Sequence, residues 1–188
     1  MMKHLFVLFA LGASLMPGAL FQGAGADPFD LKDNAIRHAQ QGQVYLERQQ
    51  YDLAAEHLKA SLRLNPYSAM SASVYNNLGI AYRMQGNYPM ALASFQHAFR
   101  IQPNYEIFYK NLVETYDEAG LLPTVIEALE AAVRYNPQND EAYFLLGLAY
   151  ETQGERERSA ASFGEFIRLK PNAGLTHAAE KHVRPAGF

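Results

Sequence analysis

Apolar side chains recur every three or four residues along most of the chain, which is the spacing of a helix with one buried face. Glycine, proline and asparagine interrupt this pattern at short intervals. The pattern predicts eight helices in four consecutive pairs: 34–48 and 52–64, 70–85 and 88–101, 105–119 and 122–135, and 140–153 and 155–169. Because the turns within the pairs are short, each pair is expected to fold as an antiparallel hairpin.

Residues at the predicted helix starts support these assignments. Asp33, Asn87 and Asn139 each precede a predicted helix, and their side-chain oxygens can accept hydrogen bonds from the first turn. Pro89 and Pro123 fall within first turns, where a missing N–H group costs nothing. The sequence therefore predicts caps for three helices and a proline in the first turn of two.

Four prolines close four similar blocks of sequence. Pro66, Pro103, Pro137 and Pro171 follow one another at spacings of 37, 34 and 34 residues. Tyrosine stands 21 residues before each proline, at positions 45, 82, 116 and 150. A regular period of this length is typical of stacked helical hairpins, and the three extra residues in the first spacing lengthen one loop between blocks.

Other columns of the repeat have a clear physical purpose. A small residue in the first helix allows the second helix to approach closely, and the tyrosine one helical turn further on fills the space between the two helices. A glycine ends the first helix. The small positions are Gly42, Gly79, Val113 and Gly147, the large positions are Leu58, Phe95, Leu129 and Phe163, and the turn positions are Gln49, Gly86, Gly120 and Gly154.

This pattern resembles the tetratricopeptide repeat family. The second block is close to a full match, with Tyr75-Asn76-Asn77-Leu78-Gly79 followed by Ala91, Phe95, Ala98 and Pro103. The other blocks depart from the pattern at Gln49, Val113 and Ser159. The resemblance covers residues 34–171 and implies an all-α, right-handed α-solenoid of four repeats, at about 35–68, 72–105, 106–139 and 140–173.

A final stretch at 173–184 has small and apolar residues at helical spacing, with polar residues between them. It predicts a short helix that caps the last hydrophobic face of the solenoid. The alternative is a tail that docks a partner.

The resemblance implies a binding groove lined by the first helix of each repeat. The matching residues are Gln40, Gln43, Asn76, Asn77, Ile80, Lys110, Asn111, Glu114, Phe144 and Leu148. Gln40, Asn77 and Asn111 share one register and predict a ladder of amides suited to the backbone of an extended peptide. Phe144 and Leu148 are interpreted either as a ligand pocket or as core under the last helix.

Acidic residues gather towards the third and fourth repeats of this groove: Glu114, Asp117, Glu118, Glu141 and Glu151. They favour a basic or neutral ligand segment, or they form a solvated face. The basic residues that would capture a C-terminal carboxylate are missing from the matching positions, so that mode of binding is not expected.

The first 26 residues have a different character. Lys3 precedes an apolar run from Leu5 to Leu15, and small residues lead up to Ala26. This is the pattern of a secretory signal peptide. The alternative is an uncleaved membrane anchor, although the strongly apolar core is shorter than the roughly 20 residues that a spanning helix needs. Export would place the protein in the periplasm or the medium if the source is bacterial.

Composition narrows the functional classes. The chain has 16 basic and 19 acidic residues and gives no electrostatic footprint for nucleic acid. It contains no cysteine, which excludes disulfides and thiolate chemistry. No catalytic or phosphate-binding motif is present, and the spacing of His177 and His182 does not put them on one face of a helix. Neither an enzyme, a metal site nor a cofactor is therefore expected.

These observations predict a non-enzymatic, exported scaffold that binds an extended or helical segment of another protein. Envelope assembly or secretion machinery is the expected setting, by analogy with the family. Two alternatives remain open. One is a structural protein that associates with itself, and the other is a membrane-anchored subunit of a larger complex.

Overall fold

The computed structural model describes residues 28–68 and 70–183, with side chains described from residue 30 onward. The described residues form helices and no strand. The helices are α1 (Pro28–Glu47), α2 (Tyr51–Leu64), α3 (Ser71–Met84), α4 (Tyr88–Ile101), α5 (Glu106–Glu118), α6 (Leu122–Tyr135), α7 (Asp140–Thr152), α8 (Arg156–Leu169) and α9 (Thr176–Val183). This confirms the predicted helical-repeat solenoid.

Most helix boundaries lie within one residue of the prediction, and two starts differ. Helix α1 begins at Pro28 instead of residue 34, so Asp33 lies inside the helix and the prediction that it caps α1 is wrong. Helix α9 begins at Thr176, three residues later than predicted. The caps at Asn87 and Asn139 are confirmed, because their side chains accept hydrogen bonds from the N–H groups of Met90 and Ala142.

The predicted signal peptide at residues 1–26 lies outside the described residues. Among those described, no helix combines the length and apolar character needed to cross a membrane.

Close packing within the hairpins depends on glycine. A Cβ atom placed on Gly79 would lie 2.6 Å from the ring of Phe95, and one placed on Gly42 would lie 2.6 Å from Leu58. At Gly147 the corresponding atom would lie 2.8 Å from the ring of Phe163. The facing large residues are fully buried as a result, and the first, second and fourth hairpins close tightly.

The third hairpin is more open than the other three. Val113 occupies the position of the glycines, and its side chain is buried in the core beside α7. The facing Leu129 of α6 is only partly buried, whereas its counterparts are completely covered. Helix α6 accordingly packs more on α7 than on α5. The open hairpin is thus the one in which valine replaces the glycine of the first helix.

The turns within the hairpins share one backbone conformation. Gly86, Gly120 and Gly154 have φ values of 72°, 68° and 78°. Gln49 adopts the same left-handed conformation, with φ of 59°, although it is not glycine. The repeat therefore fixes the turn even where the preferred residue is absent.

The core consists of two main clusters that meet at the middle of the array. One contains buried residues from α2 to α5, and the other extends from α5 to α9. Phe99, Tyr116 and Leu145 pack against both clusters. The first helices of the hairpins, which carry the predicted groove, are thereby held to one another through the middle of the array.

Candidate peptide-binding groove

The four first helices, α1, α3, α5 and α7, carry all the predicted groove residues. Gln40 and Gln43 are exposed on α1, and Gln43 Nε2 donates a hydrogen bond to Glu47 Oε1 at 3.2 Å. Asn77 and Ile80 are half-buried on α3. These four side chains present polar or apolar surface that a ligand can reach.

The predicted ladder of amides takes another form in the structure. Asn111 Nδ2 donates a hydrogen bond to Asn76 Oδ1 at 2.7 Å, and both residues are buried, at 5% and 8% exposed. The amide of Asn111 therefore joins α5 to α3 instead of facing a ligand. Asn111 thus contacts Asn76 and not Asn77, which was its predicted neighbour in the ladder.

Charged residues of the groove are engaged in ion pairs. Lys110 Nζ lies 2.7 Å from Glu106 Oε1, and Glu114 Oε2 lies 2.5 Å from Nη1 of Arg83. Arg83 also lies 3.6 Å from Glu118, so it links α3 to two carboxylates of α5. These pairs neutralise part of the acidic patch that the sequence predicts.

Phe144 and Leu148 lie in the core of the fourth repeat. Phe144 is 0% exposed and contacts the rings of Tyr109, Phe163 and Phe166 edge-on, and Leu148 is 2% exposed. Of the two interpretations offered by the sequence, the structure has the core arrangement. Leu148 still borders a cleft, but Phe144 offers no surface to a ligand.

A cleft of about 270 Å³ lies between α5 and α7. It is lined by Lys110, Val113, Glu114, Leu148, Glu151 and Thr152. Its apolar floor and charged rim resemble the sites where an anchoring side chain of a peptide is held. Lys110, Glu114 and Leu148 were predicted as groove residues, so the structure brings three of the ten predicted positions together here.

Sequence reasoning missed several residues of this region. Arg83 could have been found, because it precedes Glu114 and Glu118 by about one repeat and adjacent repeats place such positions side by side. His182 lies beyond the fourth repeat, so the repeat register does not predict which residues it contacts. No group of three or more metal-ligating side chains occurs among the residues that the structure describes.

Comparisons with known proteins agree with this architecture. A sequence profile described as "Tetratricopeptide repeat" matches residues 34–104, one described as "TPR repeat" matches 116–154, and another "Tetratricopeptide repeat" profile matches 140–173. Together they cover well over half of the chain. Helix α5, which belongs to the open hairpin, falls largely between the matched segments.

Two curated relatives and a solved structure are similar to this chain. The chloroplastic tetratricopeptide repeat domain-containing protein PYG7 of Arabidopsis thaliana is 29% identical over 102 residues, which are 54% of this chain and 34% of PYG7. The uncharacterized protein ycf37 of Guillardia theta is 26% identical over 109 residues, 57% of this chain and 61% of ycf37. The chain thus spans from about a third to about three fifths of these relatives.

A crystal structure of a tetratricopeptide repeat protein from Parabacteroides merdae superposes with a TM-score of 0.50 at 19% identity, covering 80% of this chain and 59% of that one. At this identity the similarity concerns the fold alone. The repeat register, the helical hairpins and the three matching profiles lead to one conclusion: the chain belongs to the tetratricopeptide repeat family.

Proposed function

We propose that this protein is a non-enzymatic scaffold that binds an extended or helical segment of another protein along the first helices of its repeats. The observation that carries the proposal is the cleft between α5 and α7, whose apolar floor at Val113 and Leu148 is bordered by charged groups. An apolar side chain of the partner would enter this cleft. Gln40, Gln43 and Asn77 would then supply hydrogen bonds to its backbone.

The partner segment in this proposal is neutral or basic. Glu114, Asp117, Glu118 and Glu151 are exposed on α5 and α7, and Lys110 is already paired with Glu106. Glu114, Glu118 and Glu151 already contact Arg83 or His182, but their side chains stay about half exposed. Carboxylates exposed beside an apolar cleft favour a ligand with a lysine or arginine next to its anchoring residue.

The proposal also includes the setting of the protein. The basic residue, apolar run and small residues of positions 1–26 support export, with action in envelope assembly or secretion machinery. Self-association and membrane anchoring are the alternatives, and the same experiment separates all three.

The test uses the tagged full-length chain, expressed in its own host and recovered from the envelope fraction. Intact mass gives the N-terminus, and the co-purified proteins give the partner. A start near Asp27 together with one stoichiometric partner supports the exported scaffold. An intact N-terminus supports the membrane-anchored subunit, and recovery of self-copies alone supports the self-associating protein.

A variant with Gln40→Ala, Gln43→Ala and Asn77→Ala tests the groove. We expect it to lose the partner while keeping its helical content and melting temperature, since these side chains are exposed or half-buried. The matched control carries Lys59→Ala and Glu127→Ala, two exposed positions on the second helices, and should keep the partner. Retention of the partner by the groove variant would place the binding surface elsewhere.

A further inference from the structure

His182 lies where four helices meet. From α9, its Nε2 atom lies 2.8 Å from Glu106 Oε1 of α5, and its Nδ1 atom lies 3.0 Å from Glu151 Oε1 of α7. Its ring stacks on Phe163 of α8, with ring centroids 4.6 Å apart and an interplanar angle of 17°. The side chain is only 12% exposed. One residue near the end of the last helix thus contacts three other helices.

Both contacts of His182 with glutamate carboxylates can be hydrogen bonds at once only if the two ring nitrogens both carry a proton. An ionised carboxylate only accepts hydrogen bonds, so each ring nitrogen must donate to satisfy its contact. A neutral imidazole has a single N–H group, and only the imidazolium ion has two. Burial alone would raise the pKa of Glu106, but hydrogen bonds from Lys110 and His182 outweigh it and lower that pKa, which keeps this partner ionised.

The charges that face His182 balance when the ring is protonated. Helix α5 contributes Glu106 together with Lys110, whose Nζ lies 2.7 Å from Glu106. Helix α7 contributes Glu151, and α8 contributes the uncharged ring of Phe163. Deprotonation of the imidazolium therefore leaves the two glutamates with Lys110 as the one positive charge among these groups. One of the two carboxylates then faces the lone pair of a ring nitrogen.

Helix α9 depends on its docking for its structure. It has eight residues, and isolated helices of this length are unstable in water. Ala179 of α9 and Leu175 just before it are buried in the same cluster as Phe163. His182 lies three residues beyond Ala179 and one residue before the end of α9, so its contacts fasten the far end of the helix.

We propose that His182 is a proton-operated latch that holds α9 over the fourth repeat. With the imidazolium present, α9 is fastened to α5 and α7 and covers Phe163. Loss of the proton as the pH rises removes one of the two hydrogen bonds, so that α9 loosens and the apolar end of the array becomes accessible. This inference goes beyond the proposed function, and its test does not require a ligand, although Lys110 and Glu151 also line the cleft.

The test follows the full chain by NMR and amide hydrogen exchange between about pH 5 and 8, the range in which histidine changes charge. Ring nitrogen shifts distinguish the imidazolium ion from both neutral tautomers. We expect an imidazolium at His182 at the acidic end. Protection factors of the α9 amides, corrected for intrinsic exchange, should fall about tenfold or more on raising the pH, the change expected for losing one charge-assisted hydrogen bond.

Two variants complete the test. His182→Gln should show low protection of α9 at every pH, with no dependence on pH and no change in α3. His177→Gln is the matched control on the same helix, where the native side chain is 79% exposed, and it should behave like the wild-type protein. A neutral His182 at pH 5, or α9 protection that is independent of pH in the wild-type protein, would overturn the proposal. The proposal would also be overturned if the protection of α9 lost its pH dependence in both variants.

Discussion

At Gly79 the backbone of α3 approaches the ring of Phe95 more closely than any side chain would permit. The same contact recurs at Gly42 and Gly147, and each time the facing residue is completely buried. Helix propensity alone would favour alanine at these positions. Packing between the two helices outweighs that preference, so glycine is required at this register for a closed hairpin.

We expect Gly79→Ala to lower the free energy of unfolding by about 1–3 kcal/mol, the usual cost of overpacking a core. The added methyl group would overlap the ring of Phe95, which is itself enclosed. Urea denaturation followed by circular dichroism measures the change.

The control for this substitution is Gly164→Ala in α8. A Cβ atom at Gly164 meets nothing within 4 Å, so this change should stabilise the protein by up to about 1 kcal/mol through helix propensity. Equal effects of the two substitutions would contradict the role assigned to the Phe95 contact.

Gln49 offers a second test at the scale of one residue. Its φ of 59° is unfavourable for a residue with a side chain, at a cost of about 1–2 kcal/mol. Gln49→Gly should therefore raise the free energy of unfolding by about 1 kcal/mol. The reverse change, Gly86→Gln at φ of 72°, should lower it by a similar amount. If both substitutions shift the unfolding midpoint in the same direction, backbone strain is not the cause.

At the scale of elements, the positions of the helices along the chain could be predicted from the sequence. How closely the two helices of each hairpin pack could not. Periodicity, capping residues and prolines determine where a helix starts and ends, and these signals are local. Helix α1 departs from the prediction because its first turn is formed by residues before the repeat begins. The open third hairpin has Val113 in place of glycine, and sequence alone does not reveal whether a valine there will separate the two helices or whether its neighbours will adjust.

The hydrogen bond between α3 and α5 leads to a prediction about their contact. Asn111→Ala leaves Oδ1 of the buried Asn76 without its donor, and we expect a loss of about 1–3 kcal/mol in the free energy of unfolding. Asn77→Ala is the control, because this neighbour is only half-buried and should change stability by less than about 0.5 kcal/mol. Thermal denaturation compares the two proteins, and similar melting temperatures would show that the buried pair contributes little.

The amide pair also shows what the sequence left undetermined in the candidate site. Gln40, Asn77 and Asn111 occupy equivalent positions in their repeats, so the sequence predicts that they form one line along the groove. In the structure Asn111 instead bonds to Asn76, one position away from the residue that shares its register. Phe144 is a similar case, because its register is that of a groove residue while the rings of Tyr109 and Phe166 enclose it.

For the whole molecule, Glu106 of α5 connects the third repeat to α9 through His182, and it also pairs with Lys110 on its own helix. Burial acts to raise its pKa, but these hydrogen bonds and charges lower it below the usual value of 4.5. A carboxyl group with a lowered pKa stabilises the folded protein above its unfolded pKa, and that contribution is lost as the pH falls through the folded pKa.

Glu106→Gln should consequently be less stable than the wild-type protein at neutral pH, and the difference should shrink as the pH falls below about 4.5. Denaturant unfolding at a series of pH values measures both curves. Glu127→Gln, at an exposed position on α6, should follow the wild-type curve throughout. Parallel curves for Glu106→Gln and the wild-type protein would remove Glu106 from the groups that govern acid unfolding.

The opening of the third hairpin has a mechanical consequence. An array of repeats transmits load from each unit to the next, and the two core clusters of this one meet at the repeat whose helices are least closely packed. Tension applied between the two ends would part the molecule at α5 and α6 first. The first two repeats would then move as one block and the fourth repeat with α9 as another, so the third repeat is the point at which the protein yields to force.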